Sequence, residues 1–305
     1  MSGIPFLDNA AAGKNNWWRY LLTIVLSLLL GSLVAGIFLA VILIIFSFFL
    51  AGRGVLDIYG IINATVSNPF FLLIMVGISY ALSFVFFYFC LRFLHHKRLL
   101  SIINTGSKVR WTLLLKGLGL WFLILFLFTL PDLIWNTSSY NLTFDPKSFL
   151  ILLVLCILVF PLQASFEEIF FRGYLMQGVG LLSKRPWIPL LVTSLVFGSV
   201  HFFNGTNLNM DISIVISTFI IGIMLGIIAL GYNGIEAAMG VHIANNLYVS
   251  LVYNSTDSGI SGLPSLITAQ VSNPFAGIPI LTLAAIIIII ILFWNRQDDL
   301  MRIFR

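Results

Sequence analysis

Three ionisable side chains, Glu167, Glu168 and Arg172, stand inside the apolar run FLILLVLCILVFPLQASFEEIFFRGYL at residues 149–175. A charge in hydrocarbon costs about 2.5–3.5 kcal/mol even on lenient insertion scales, so such groups must be shielded or put to use. Glu168 and Arg172 are four residues apart, on one helix face, with the acid N-terminal to the base, the better order for an ion pair. Glu167 is turned about 100° away and faces something else. Further along lie His201 and then His242 with Asn246. These last two are again four apart and point into one space. A carboxylate opposite an imidazole can hold a water and take its proton. A second imidazole with a side-chain amide offers donors to a developing oxyanion. Together these groups could hydrolyse a peptide bond without a covalent nucleophile. No Ser-His-Asp set, HExxH helix, GxSxG elbow or phosphate-binding glycine loop is apparent.

The elements that must position these residues are membrane helices. The chain has 305 residues, 60% hydrophobic and 9% charged, with mean hydropathy +1.06. A soluble domain carries roughly 25% charged residues, which excludes a mostly water-facing fold. The expected fold class is all-α, a polytopic membrane helical bundle of about eight transmembrane helices. Windows long enough to span occur at 20–50, 69–94, 111–131, 149–177, 187–203, 212–231, 234–253 and 275–294. Three stretches follow from them. Residues 1–148 hold three N-terminal spans and 149–253 a four-span catalytic core. Residues 254–305 hold an outer loop, the last span and a basic tail.

Charge sets the orientation. Lys14 and Arg19 precede the first span; Lys97, Arg98, Lys108 and Arg110 fill the second connection; Lys184 and Arg185 fill the fourth; Arg296, Arg302 and Arg305 close the tail. The alternate connections carry Asp57, Asp132, Asp145, Asp211 and Asp257. Excess Lys and Arg mark the cytoplasmic side, so both termini are expected there. On a ruler of 1.5 Å per residue, Glu167, His201, His242 and Asn246 sit roughly 12–21 Å from the cytoplasmic ends of their helices.

The net charge of +5 and pI of 9.3 come from cations that bracket spans, so no nucleic-acid partner is expected. The first apolar run, about 30 residues, is too long for a cleavable signal, and Trp17 and Trp18 read as interfacial anchors. Cys90 and Cys156 fall within spans and form no disulfide framework. Sequons at Asn63, Asn136, Asn141, Asn204 and Asn254 fall on outer loops. His95, His96 and Glu236 read as interface residues, and Lys116 as a snorkelling one.

The polar motifs resemble the CAAX proteases and bacteriocin-processing enzymes, the CPBP or Abi family that includes the CAAX prenyl endopeptidase. That family's EExxxR, FxxxH and HxxxN signatures stand here as EEIFFR (Glu167 to Arg172), FGSVH (Phe197 to His201) and HIANN (His242 to Asn246). The resemblance covers about 100 residues, from Phe149 to Tyr253.

The resemblance implies an intramembrane endopeptidase of glutamate type. Glu167 would be the catalytic carboxylate and His201 its partner in holding the water, with His242 and Asn246 the oxyanion site. Glu168 and Arg172 would be structural support. No cofactor is expected, although Glu167, His201 and His242 leave a Zn²⁺ site open, with a water as fourth ligand. The implied partners are the lipid bilayer and a membrane-associated or hydrophobic-tailed peptide; the compact chain, with no eukaryotic targeting signal apparent, points to an integral location in a bacterial plasma membrane. Two other readings compete: a non-catalytic scaffold or bacteriocin-immunity factor using the same cavity for binding, and a transporter using the buried acids.

Overall fold

A computed structural model describes residues 3–135, 140–256, 262–270 and 273–305. Asn136, Asp257 and the side chain of Asp132 lie outside these described residues. The long helices are α1 (Trp17–Gly52), α2 (Pro69–Leu94), α3 (Trp111–Trp135), α4 (Pro146–Gly180), α5 (Trp187–Ser199), α6 (Leu208–Tyr232), α7 (Glu236–Leu251) and α8 (Gly277–Phe293). Five of them, α1 to α4 and α6, are long and apolar enough to cross a membrane. The chain is a helical membrane protein. Helices α5, α7 and α8 are shorter than the spans expected at their positions.

Local sequence explains where the helices begin. Asp145 precedes Pro146 and its carboxylate accepts from Ser148 N at 2.9 Å. Asn68 precedes Pro69 and accepts from Phe70 N at 2.9 Å. Asn207 accepts from Met210 N at 3.1 Å at the start of α6. Each is a side-chain cap on an orphan backbone donor, and proline fits the first turn because its missing N–H is not needed there. Helix α6 ends where Asn233 turns left-handed (φ 51°, ψ 44°).

Helix α7 is the centre of the bundle, packed against α3, α4 and α6, and most of its residues are buried. It approaches α3 closely because both present glycine at the crossing. A Cβ on Gly240 would collide with the Leu114 carbonyl, and one on Gly117 with the Ala237 carbonyl. Small residues at such crossings let backbones meet where no side chain fits. Helix α4 packs against both α2 and α7. It carries Pro161 internally and widens into a π-helical stretch at Ile169–Leu175. That stretch starts at the residue after Glu168 and contains Arg172.

Four features depart from the sequence expectations. The connections hold a small sheet, with β1 (Tyr140–Leu142), β2 (Tyr253–Ser255) and β3 (Ile267–Ala269) in the order β1-β3-β2. Strand β3 runs antiparallel to β1 and parallel to β2. Residues before α1 do not trail into solvent: Ile4, Phe6, Leu7 and Ala10 are buried. Phe6 N donates to Asn233 Oδ1 at 3.3 Å, and Asn9 Nδ2 donates to the carbonyls of Ser101 and Asn104.

His95 is not exposed on its connection. It is buried beneath this N-terminal segment, with Nδ1 2.8 Å from the Lys14 carbonyl and Nε2 2.7 Å from the Tyr174 hydroxyl. Glu236 is fully buried rather than interfacial. It is paired with Arg110 at 2.5 Å and accepts from Asn104 Nδ2. The two residues are far apart in sequence, so nothing local announced the pairing.

Candidate active site

The candidate site lies where α4 and α7 face each other, with α2 closing one side. Glu167 and Glu168 both come from α4 and are both buried. Because they are adjacent, they leave the helix in different directions and meet different partners. The ion pair between Glu168 and Arg172 is present, with Nη1 2.7 Å from Oε1. Arg172 is held further by the Phe197 ring, whose centroid lies 4.1 Å from the guanidinium carbon, and by the Gly222 carbonyl at 3.4 Å.

His242 joins the two acids. Its Nδ1 lies 2.8 Å from Glu168 Oε1, and its Nε2 lies 3.5 Å from Glu167 Oε2. The first is a hydrogen bond and the second is too long to be one. Glu168 is thus more than the self-contained pair that its spacing with Arg172 suggested. The same oxygen that receives the arginine also orients an imidazole.

The two oxygens of Glu167 are unlike. Oε1 accepts from Gln163 Nε2 at 2.7 Å and from the Tyr80 hydroxyl. Oε2 is buried and accepts no hydrogen bond. A buried acceptor without a partner is costly and calls for an explanation.

Asn246 lies one turn beyond His242 and donates from Nδ2 to Gln163 Oε1 at 2.7 Å. Gln163 therefore bridges Asn246 and Glu167. The chain continues outward: Asn245 Nδ2 donates to Asn246 Oδ1 at 3.3 Å, and Trp121 Nε1 donates to Asn245 Oδ1 at 3.3 Å.

His201 lies beyond the end of α5, in the turn that follows it. It is half-buried, with Nδ1 2.6 Å from the Phe197 carbonyl. An Nδ1–H donating there leaves Nε2 as the acceptor in the neutral ring. The Phe197 ring touches both imidazoles, its centroid 4.7 Å from that of His201 and 5.9 Å from that of His242. Among the described residues, His201 makes no hydrogen bond or ion pair to Glu167; the imidazole nearest that carboxylate is His242. The reason is tertiary, since Glu168 pins His242 with its Nε2 aimed at Glu167, which helical spacing alone does not reveal.

Among the described residues no group of three or more His, Cys, Asp or Glu side chains is placed to hold a metal ion; of the three residues that left a Zn²⁺ site open, Glu167 and His242 approach each other at 3.5 Å, and His201 is bonded to neither.

The comparisons fall on this same region. Residues 147–248 match the family model of the type II CAAX prenyl endopeptidases, Rce1-like, a range that includes every residue from Gln163 to Asn246 described above. The segment is similar to the CAAX protease family. Its match runs from α4 to α7 and includes both acids, both imidazoles and Asn246. The chain is also 27% identical over 263 residues to the uncharacterized protein YyaK of Bacillus subtilis (strain 168), covering 86% of each. No solved structure matches it.

The residues that sequence reasoning missed are Tyr80 and Gln163. Gln163 was within reach, being a polar residue one turn before Glu167 in an apolar helix. Tyr80 lies before the family segment, in α2, and no spacing links it to the motifs.

Proposed function

We propose that this protein is a CAAX-protease-like intramembrane endopeptidase of glutamate type, cleaving a peptide bond in a membrane-associated or hydrophobic-tailed peptide. The observation that carries the proposal is the asymmetry of Glu167: one oxygen doubly held, the other buried, unpartnered and turned to an imidazole. Glu167 Oε2 takes a proton from a water as that water attacks the scissile carbonyl. His201, with Nε2 free to accept, completes the hold on the water. Asn246 uses one amide N–H on Gln163 and has a second for the carbonyl oxygen as it becomes anionic; His242, whose Nδ1–H is given to Glu168, adds an Nε2 donor there when its ring is the imidazolium.

The proton that Glu167 takes from the water is then passed to the leaving amine, which restores the carboxylate for the next turnover. The reading involves no metal ion and no other cofactor.

In the same reading, α5, α7 and α8 complete eight crossings with both termini cytoplasmic. The support is the alternation of cation-rich and cation-poor connections in the sequence. A bacterial plasma membrane is the location, and leader peptides or other short membrane peptides, such as bacteriocin precursors, are the substrates.

Purified protein in liposomes, given a quenched-fluorescence peptide that ends in a prenylated CAAX tail, tests the activity. Glu167→Gln and Glu167→Ala are expected to abolish cleavage while thermal unfolding stays close to wild type. Cleavage is also expected to survive chelators. Full cleavage by Glu167→Gln rejects the mechanism. One observation favours a binding role instead: His201 does not meet Glu167. If Glu167 and His201 variants both preserve the cellular phenotype of the gene, a scaffold or immunity function replaces the protease.

A further inference from the structure

Tyr80 and Gln163 converge on a single oxygen, Glu167 Oε1, from different helices. A carboxylate has two equivalent oxygens until its surroundings distinguish them. Here both donors choose Oε1 and leave Oε2 to face His242 Nε2. We infer that Tyr80 and Gln163 are positioning residues that lock the Glu167 carboxylate with Oε2 toward the reacting water, and that Gln163 also sets the direction of the Asn246 amide. The inference rests on the general-base role of Glu167 and adds what holds that base in place.

Each link has a definite direction. Gln163 donates to Glu167 and accepts from Asn246, so its amide cannot rotate without breaking both bonds. A rotation of the Glu167 carboxyl would likewise lose both bonds at Oε1. Asn246 Oδ1 already accepts from Asn245, which fixes the face on which its second N–H emerges. Base and oxyanion donor are thereby coupled through one side chain.

Tyr80 is built for the same task. Its ring packs edge-on against Phe166, with centroids 5.8 Å apart, and this contact helps to aim the hydroxyl. The charged or titratable groups that face Glu167 are His242 from α7, Glu168 and Arg172 from α4, and Tyr80 from α2. Among the described residues, Tyr80 and Gln163 alone hydrogen-bond to Oε1. Preorganisation of this kind matters because a base misplaced by about 1 Å can lose roughly a hundredfold in rate.

The test uses Tyr80→Phe and Gln163→Met, which keep ring and chain volume; the first deletes the hydroxyl donor to Glu167, and the second deletes both the donor to Glu167 and the acceptor for Asn246. Full-length protein in liposomes is assayed with the quenched-fluorescence prenylated peptide, and kcat is separated from KM. Each variant is expected to lower kcat on the order of tenfold or more, the loss of one hydrogen bond to a charged group, with KM within about twofold. The infrared band of the Glu167 carboxyl group, identified by its loss in Glu167→Gln, is measured in parallel and needs no substrate. It is expected to move in Tyr80→Phe and in Gln163→Met, because an oxygen that loses a donor changes its C–O bond order. Packing alone would leave that band in place.

An unmoved band in both variants, or a loss confined to KM, overturns the inference. A dead Glu167→Gln beside a fully active Tyr80→Phe removes the positioning role and spares the protease. A fully active Glu167→Gln removes the general-base role of Glu167, while a shifted band would still report the lock.

Discussion

His242 holds its Nδ1 2.8 Å from Oε1 of Glu168, on the very oxygen that receives Arg172 at 2.7 Å. Glu168 thus faces both a fixed cation and an imidazole, and its carboxylate decides which way His242 points. A carboxylate that accepts from one imidazole nitrogen sets the tautomer and the ring direction.

The two adjacent acids should therefore fail differently. Glu168→Gln leaves Arg172 buried without its counter-charge, which costs about 3–5 kcal/mol of stability, and frees His242 to rotate. Glu167→Gln leaves the Glu168–Arg172 pair whole. Thermal unfolding in detergent is expected to fall clearly for Glu168→Gln and hardly at all for Glu167→Gln, while cleavage is lost in both. Equal stability losses in the two variants would remove the division of labour between them.

The α3–α7 crossing gives a second expectation. Gly240 lies two residues before His242, and a Cβ there meets the Leu114 carbonyl and approaches Leu118 N at 2.8 Å. Backbone cannot move aside as a flexible side chain can. Gly240→Ala is expected to cost about 1–3 kcal/mol through overpacking and to reduce cleavage by shifting His242 and Asn246 together. Gly119, with nothing near its Cβ position, is the control. Gly119→Ala should be neutral or stabilising by up to about 1 kcal/mol, from helix propensity alone. Unfolding temperature and cleavage rate for the pair check both statements.

How much of this could be read in the chain depends on how local each signal is. The i,i+4 spacing of Glu168 and Arg172 already contained their ion pair, and the same spacing placed His242 and Asn246 on one face of α7. Apolar run length located the long helices, because a hydrocarbon layer sets that length directly. The three-residue strands carried no period to detect. Which imidazole meets Glu167 was hidden, since it depends on how α4 and α7 rotate against each other. Tyr80 was hidden for a similar reason, as a lone hydroxyl in an apolar helix gives no spacing to measure. His95 and Lys97 were misleading: a basic cluster after a span reads as a wet interface, and its cover comes from residues 4–15, far away in sequence.

Lys97 yields the last prediction. It is buried beneath the N-terminal segment, where Nζ donates to the Ala10 carbonyl at 3.0 Å and lies 5.9 Å from the Tyr20 ring centroid. Burial pushes its pKa down from 10.5 to about 8, because an ammonium loses hydration there without gaining a carboxylate. The unfolded chain binds this proton more tightly than the folded one. Stability should therefore rise with pH between about 8 and 10.5, and below about 8 the penalty is present in full. The shift corresponds to at most about 3 kcal/mol. Lys97→Met removes the charge while the Ala10 carbonyl keeps its bond from Asn15 Nδ2 at 2.7 Å. The variant is expected to unfold at a higher temperature than wild type at pH 7, with the difference shrinking towards pH 10. A difference that stays constant across that range would show that the gain comes from packing rather than from the buried charge.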